Sequence, residues 1–332
     1  MSGDGIPSPL DMPPMQCVWP AGASAQRIRQ HARGAMLGLA LGDALGATVE
    51  FMTPREIRAL YGCHAQIRGG GWLRLPPGQV TDDTTMAFAV AKTLLASPDP
   101  GPADFARAFD AWMRSKPVDI GNTVRRGVMR FRRTGEACVP PSDDAGNGAT
   151  MRCAPIAIAL LGAPPETIRR IALSQARVTH HNPLTDAATL FVVGMVQAGI
   201  LGHGIRGVIA LAHALVKAYP SFHFRAKPQS NPTGYIVDTM RVVLQSIDIT
   251  DSFESALIDV VNRGGDADTT GAITGAILGA MYGESALPLH WLSALRPDVA
   301  THCIRYADCL TEQLQRNWAV THRQTCPPHQ WP

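Results

Sequence analysis

An all-α fold is the architecture this sequence predicts, on three observations. Apolar residues recur at helical spacing along most of the chain, and strand-like alternation is nearly absent. The segments in between are Gly/Pro loops, notably 67–80, 138–148 and 219–233. Helices are expected at about 26–48, 82–96, 102–114, 120–133, 149–161, 165–177, 184–200, 205–218, 234–247, 252–262, 268–282 and 298–316.

Taken in order, these segments carry their own punctuation. The first has Gly34, Gly38, Gly42 and Gly46 at every fourth position, interrupted by Asp43. The helix at 82–96 opens on Thr81, Asp82, Asp83 and Thr84, residues able to cap a helix start and favoured there by its dipole. Asp119 stands just ahead of 120–133, where it can cap, and the arginines at 125, 126, 130, 132 and 133 read as a solvated face of that helix. The turn Gly146-Asn147-Gly148 precedes 149–161, ARVTHHNP precedes 184–200, and Tyr235 lies at the start of 234–247. VNRGGDADTT leads into 268–282, where Gly271, Gly275, Gly279 and Gly283 repeat the four-residue spacing. Each glycine inside a helix costs about 1 kcal/mol relative to alanine, so two such stripes need close backbone packing to offset them. The two helices are therefore expected to be core neighbours, bringing positions near 45 and 268 together. One domain over 23–318 follows, with a disordered Pro/Gly/Ser-rich tail at 1–22 and a flexible tail at 319–332.

Composition narrows the function classes. A net charge of +3, evenly spread, argues against a nucleic-acid or membrane-surface protein. Seven cysteines, odd in number and without a CxxC pair, fit reduced thiols in a cytosol. The opening MSGDGIPSPLDMPP has neither a basic nor an apolar signal region, and no apolar run is long and uninterrupted enough to insert in a bilayer. A cytoplasmic protein is expected.

The chemistry concentrates in two acidic turns. One Asp or Thr suffices to cap a helix, yet Asp82 and Asp83 crowd one start while Asp266 and Asp268 crowd another. Brought together by the glycine helices, four carboxylates would repel one another, and no Lys or Arg lies inside TDDT or DADTT. A cation is the cheapest resolution. Ligands that are all oxygen suit Mg²⁺ or Mn²⁺ rather than zinc, and two clusters could hold two ions. Glu50 is a third candidate contributor.

Six blocks occur in this order: GAMLGLALGDALGATVEF, GQVTDDTTM, PVDIGNT, DAGNGATMRCAP, ARVTHHNP and VNRGGDADTTGAITG. Over about 30–300 they resemble the signature blocks of the ADP-ribosylglycohydrolase family. The resemblance implies a compact all-α domain with a dinuclear Mn²⁺ or Mg²⁺ cleft. The implied metal ligands are Thr81, Asp82, Asp83, Asp266, Asp268 and Thr269, with Glu50 beside the metals. It offers Asp119 as the catalytic acid/base, and Gly121 and Asn122 facing the ribose and guanidinium. Gly146, Asn147 and Gly148 would present backbone N–H groups to a diphosphate at a helix start. His180 could hydrogen-bond the ligand, although Asn182 stands here where the family commonly has a His before the Pro. Tyr235 is either an adenine-stacking ring or a core residue. GGGWLRLPPGQVTDDT and KPVDIGNTVRRG are similar to the branch of the family that removes ADP-ribose from an arginine of nitrogenase iron protein. That branch implies inactivation at the membrane through a PII-type signal protein. Hydrolysis of another ADP-ribosyl linkage, and non-catalytic reading of ADP-ribose, stay open as alternatives.

Overall fold

The computed structural model describes residues 24–322, so the expected tail at 1–22 lies outside the described residues. Within them the chain is helical, with no strands. The helices are α1 (Ala25–Gly46), α2 (Pro54–Tyr61), α3 (Asp82–Ala96), α4 (Pro102–Arg114), α5 (Asn122–Thr134), α6 (Ala154–Ala159) and α7 (Pro165–Ala176). They continue as α8 (Pro183–Ile200), α9 (Gly204–Ala218), α10 (Ile236–Ile249), α11 (Phe253–Asn262), α12 (Ala267–Tyr282), α13 (Leu289–Ala294) and α14 (Pro297–His322). The last helix enters the segment expected as a C-terminal tail, and 323–332 lie outside the described residues.

Three departures from the expected helices have identifiable causes. The helix expected at 149–161 is confined to α6, because Pro155 lacks the N–H an earlier turn would need and is tolerated only in a first turn. Helix α2 is held by a capping box: the Thr53 N–H donates to Glu56 Oε2 at 2.7 Å, and the Glu56 N–H donates to Thr53 Oγ1. Helix α13 is a short turn whose Trp291 is buried and donates its indole N–H to the Ala65 carbonyl at 2.9 Å.

Helix α12 is the central element, buried at every residue from Ala267 to Ala280 and packed by α1, α8, α10 and α11. Its tightest neighbour is α1, antiparallel to it. A Cβ built on Gly34, Gly38, Gly42 or Gly46 would stand 2.0–2.2 Å from a carbonyl oxygen of α12, at Gly279, Gly275, Gly271 and Ala267 in turn. The converse holds for Gly271, Gly275 and Gly279 against α1. The helix-breaking cost of these glycines is thus offset by backbone-to-backbone contact that any side chain would forbid.

Helix α8 qualifies the expectation about membranes. Its 18 residues reach the length and apolarity of a minimal span, with mean hydropathy 1.3, but 89% of them are buried inside the protein. Its apolarity is that of a core helix.

Candidate active site

The glycine contact sets the C-terminal end of α1 beside the N-terminal end of α12, and α3 is fastened to the same place by Asp43. The Asp43 carboxylate, fully buried, accepts the Thr81 N–H at 3.0 Å and the Thr84 N–H at 3.1 Å. It also accepts the Thr84 hydroxyl at 2.5 Å. Burial raises its pKa to about 6, and these donors pull the other way. Asp43 is a positioning residue that sequence reasoning passed over. Its signal was a lone acid inside an otherwise apolar, glycine-striped helix.

The second acidic turn is shaped by Gly264 (φ 71°) and Gly265 (φ 66°), in the left-handed region that glycine adopts without strain. Gly265 accepts the Phe51 N–H at 2.7 Å and donates to the Met52 carbonyl at 2.9 Å, tying the Glu50 loop to the turn. Asp266 occupies the N-cap position of α12, yet its side chain makes no cap bond. It accepts instead from Asn147 Nδ2 at 2.6 Å. Asp268 Oδ1 accepts the Thr269 N–H, and Asp83 Oδ2 accepts the hydroxyls of Thr269 and Thr81, each at 3.3 Å. The two acidic turns meet.

They meet on the floor of a cleft with a volume of about 610 Å³. Glu50, Asp119 and Asp268 each bring a carboxylate oxygen within 4.8 Å of the others. Asp82, Asp83, Asp266 and Thr269 line the same cleft, and the Thr81 hydroxyl adjoins Asp83. Asp119 is not the cap of α5; that position is Gly121, without a side-chain cap bond. Trp72, on the loop at 67–80, donates its indole N–H to Glu50 Oε2 at 2.6 Å, a contact no local pattern announces.

Burial and crowding act together on these acids. Glu50 is raised to about 8, by burial first and then by Asp266, Asp119 and Asp82, against the Trp72 N–H. Asp82 is raised to about 7 by burial and Asp119, while the Gly121 N–H pulls it down. Asp83 and Asp268 rise well above the carboxylate range, and Asp266 and Asp119 rise as well, burial leading in each.

The remaining expected residues fall into two groups. Gly121, Asn122, Gly146, Asn147, Gly148 and His180 line the cleft. Two of their backbone amides are engaged within the protein: Gly121 donates to Asp82 Oδ2, and Asn147 to the Gly234 carbonyl. The 146–148 turn is also not at a helix start, since α6 begins only at Ala154. Tyr235 stands apart. Its backbone pairs with Gly146, the residue is 42% exposed, and it is absent from the cleft wall, so it is not a core residue. Of the arginine patch, Arg126, Arg130 and Arg132 pair with Asp144, Glu136 and Asp110, and only Arg125 reaches the cleft.

A family model for ADP-ribosylglycohydrolases matches residues 24–324. The chain belongs to the ADP-ribosylglycohydrolase family. It is 49% identical over 285 residues to the ADP-ribosyl-[dinitrogen reductase] glycohydrolase of Rhodospirillum rubrum, spanning 85% of this chain and 96% of that protein. It is 30% identical over 306 residues to the ADP-ribosylarginine hydrolase Tri1 of Serratia proteamaculans, spanning 87% of this chain and 80% of that protein. Among solved structures, one described as an ADP-ribosylglycohydrolase-related protein complex superposes with a TM-score of 0.77 at 32% identity. It covers 87% of this chain and 99% of that one.

In this family member the acidic floor can hold a metal ion. Asp83 Oδ1 is buried without a hydrogen-bond partner, and the converging donors are all oxygens, the set preferred by a hard divalent cation. The electrostatics give a test. In metal-free protein the folded state holds protons on these acids that the unfolded chain has already lost above about pH 4. Stability should therefore fall as pH rises from about 4 toward 8, the value reached by Glu50. Adding Mn²⁺ or Mg²⁺ at one fixed concentration, about a hundred times its dissociation constant at pH 8, should restore about 2.7 kcal/mol there. That is a rise in melting temperature of about 5 °C at pH 8, and a smaller one at pH 5. Melting curves with EDTA and with metal at both pH values check this; an equal metal effect at both would contradict it.

Proposed function

We propose that this protein removes ADP-ribose from an arginine of nitrogenase iron protein, hydrolysing the bond between ribose C1″ and a guanidinium nitrogen and so reactivating that protein. The observation that carries the reading is the convergence of Glu50, Asp119 and Asp268 at the floor of the cleft. The likeness to the Rhodospirillum rubrum enzyme supports the choice of substrate, and the likeness to the ADP-ribosylarginine hydrolase supports the arginine linkage. A reader that only bound ADP-ribose would have no use for so costly a cluster of buried acids.

Two Mn²⁺ or Mg²⁺ ions would be held by Thr81, Asp82, Asp83, Asp266, Asp268 and Thr269, with Glu50 beside them. Bound there, they would supply orientation of the ribose hydroxyls and an activated water. Asp119 is half-buried, and its burial favours the protonated form that can protonate the departing guanidinium nitrogen and take a proton back afterwards. Trp72 keeps Glu50 oriented, and Asn147 fixes Asp266. Asn122 and Arg125 border the same cleft where the modified arginine would enter. Regulation is proposed to follow the branch of the family that this chain resembles, by a PII-type signal protein that recruits the enzyme to the membrane.

Purified protein with Mn²⁺ should release ADP-ribose from ADP-ribosylated iron protein and not from serine-modified proteins. Full activity after exhaustive EDTA treatment would sink the metal-dependent reading. Asp119→Asn should lower turnover by about 10²–10⁴-fold, as expected for removal of a general acid/base, while ADP-ribose affinity stays within about twofold. A matching loss of affinity would move Asp119 to a structural role.

A further inference from the structure

Arg152 is a fully buried cation that the proposed chemistry leaves unused. Its Nε donates to Gln175 Oε1 at 2.8 Å, and its Nη2 donates to the Gln175 carbonyl at 3.1 Å and to Thr179 Oγ1 at 2.8 Å. Its guanidinium carbon lies 4.2 Å from the centroid of the Phe109 ring. An arginine has donors only, so Thr179 Oγ1 must accept from it.

That leaves the single hydroxyl proton of Thr179. The hydroxyl is buried, and its other contact is His180 Nδ1 at 2.8 Å. If Nδ1 carried a proton, the hydroxyl would accept from both sides and its own proton would have no partner, a costly arrangement in a buried site. Thr179 therefore donates to Nδ1, and the imidazole proton is on Nε2. Burial, Arg152 and Arg126 also oppose the charged imidazole, lowering its pKa to about 3. The ring edge enters the cleft wall between two glycines: a Cβ on Gly146 would stand 2.9 Å from Nε2, and one on Gly148 2.8 Å from Cε1.

We propose that Arg152 and Thr179 are positioning residues that fix His180 as an Nε2–H donor at the 146–148 turn, where it donates to a phosphate oxygen of the ligand. This turn can bring the donor to the ligand although the Asn147 amide is engaged elsewhere. The identity of the ligand rests on the proposed function; the direction of the hydrogen bonds does not.

Histidine-selective ¹⁵N labelling tests it, with His180→Gln to assign the resonance and Mg²⁺ present. Wild type should show a protonated Nε2 and a bare Nδ1, and ADP-ribose should shift Nε2 more than Nδ1. Thr179→Val should give a mixture of tautomers and weaken ADP-ribose binding by the reciprocal of the fraction left as Nε2–H, about twofold for an equal mixture. Thr179→Ser should restore both. A protonated Nδ1 in wild type overturns the relay without any variant, and so does a Thr179→Val protein with an unchanged tautomer. Unchanged affinity despite a changed tautomer, or no movement of Nε2 on binding, overturns the role toward the ligand. A wild type that has the Nε2–H form but fails to bind ADP-ribose supports the relay and overturns the function proposed for the cleft.

Discussion

Replacing Asp268 with alanine is expected to cut hydrolysis by about a thousandfold or more while the helical fold persists, because the lost group belongs to the charge-bearing floor of the cleft. Asp268 is buried, raised well above the ordinary carboxylate range and set against Glu50 and Asp119. Its removal also relieves repulsion. Metal-free Asp268→Ala should therefore melt no lower than metal-free wild type at pH 8, while its gain in stability from Mn²⁺ shrinks or disappears. Turnover on ADP-ribosylated iron protein and paired melting curves measure the two effects separately. Activity within tenfold of wild type would remove Asp268 from the chemistry. A large fall in metal-free stability would make it a structural residue.

The second large effect concerns packing. In Gly42→Ala the new Cβ would stand 2.0 Å from the Gly271 carbonyl oxygen and 2.3 Å from its carbon. Both atoms are backbone, so no rotamer change relieves the clash and the helices must part. A cost of about 3 kcal/mol or more is expected, at the upper end for overpacking, which lowers the melting temperature by about 5 °C or more. Gly42 adjoins Asp43, so separation should also disturb the start of α3 and reduce activity at temperatures where the fold survives. Gly101→Ala is the control, since its Cβ meets nothing nearer than 3.9 Å. It should stay within about 1 kcal/mol of wild type. Thermal melts of the two variants decide the matter, and equal melting temperatures would contradict the packing argument.

What was legible in the sequence was whatever repeats or clusters locally. The glycine spacing announced that α1 and α12 touch, because a four-residue stripe of helix-breaking residues has few other uses. The paired acidic turns announced an acidic cluster able to hold a cation, because their carboxylates outnumber any capping need. Two local signals were overlooked: the Thr53/Glu56 box of α2 and Pro155, which stops a helix from starting at 149. The rest was not local. Trp72 reaches Glu50 across 22 residues and Asp43 reaches Thr81 across 38, through contacts that exist only once the helices have packed. Burial of Arg152 likewise depends on Gln175, Thr179 and Phe109 arriving together. A TMR triplet carries no mark of that.

The glycine contact between α1 and α12 has the geometry of a comb, and identical teeth do not choose their own register. Slid by one tooth, four residues or about 6 Å along the axis, most glycines would again face glycines. The slipped form would keep much of the backbone contact but carry Asp268 a full turn away from Glu50. The fold indexes the comb at one end, where the Phe51 N–H meets the Gly265 carbonyl and the Gly265 N–H meets the Met52 carbonyl. Those two hydrogen bonds flank Glu50 on one side of the seam and Asp266 on the other. The contacts that select the native tooth are thus the ones that set the spacing between carboxylates, and a molecule folded in the wrong register would lack the site.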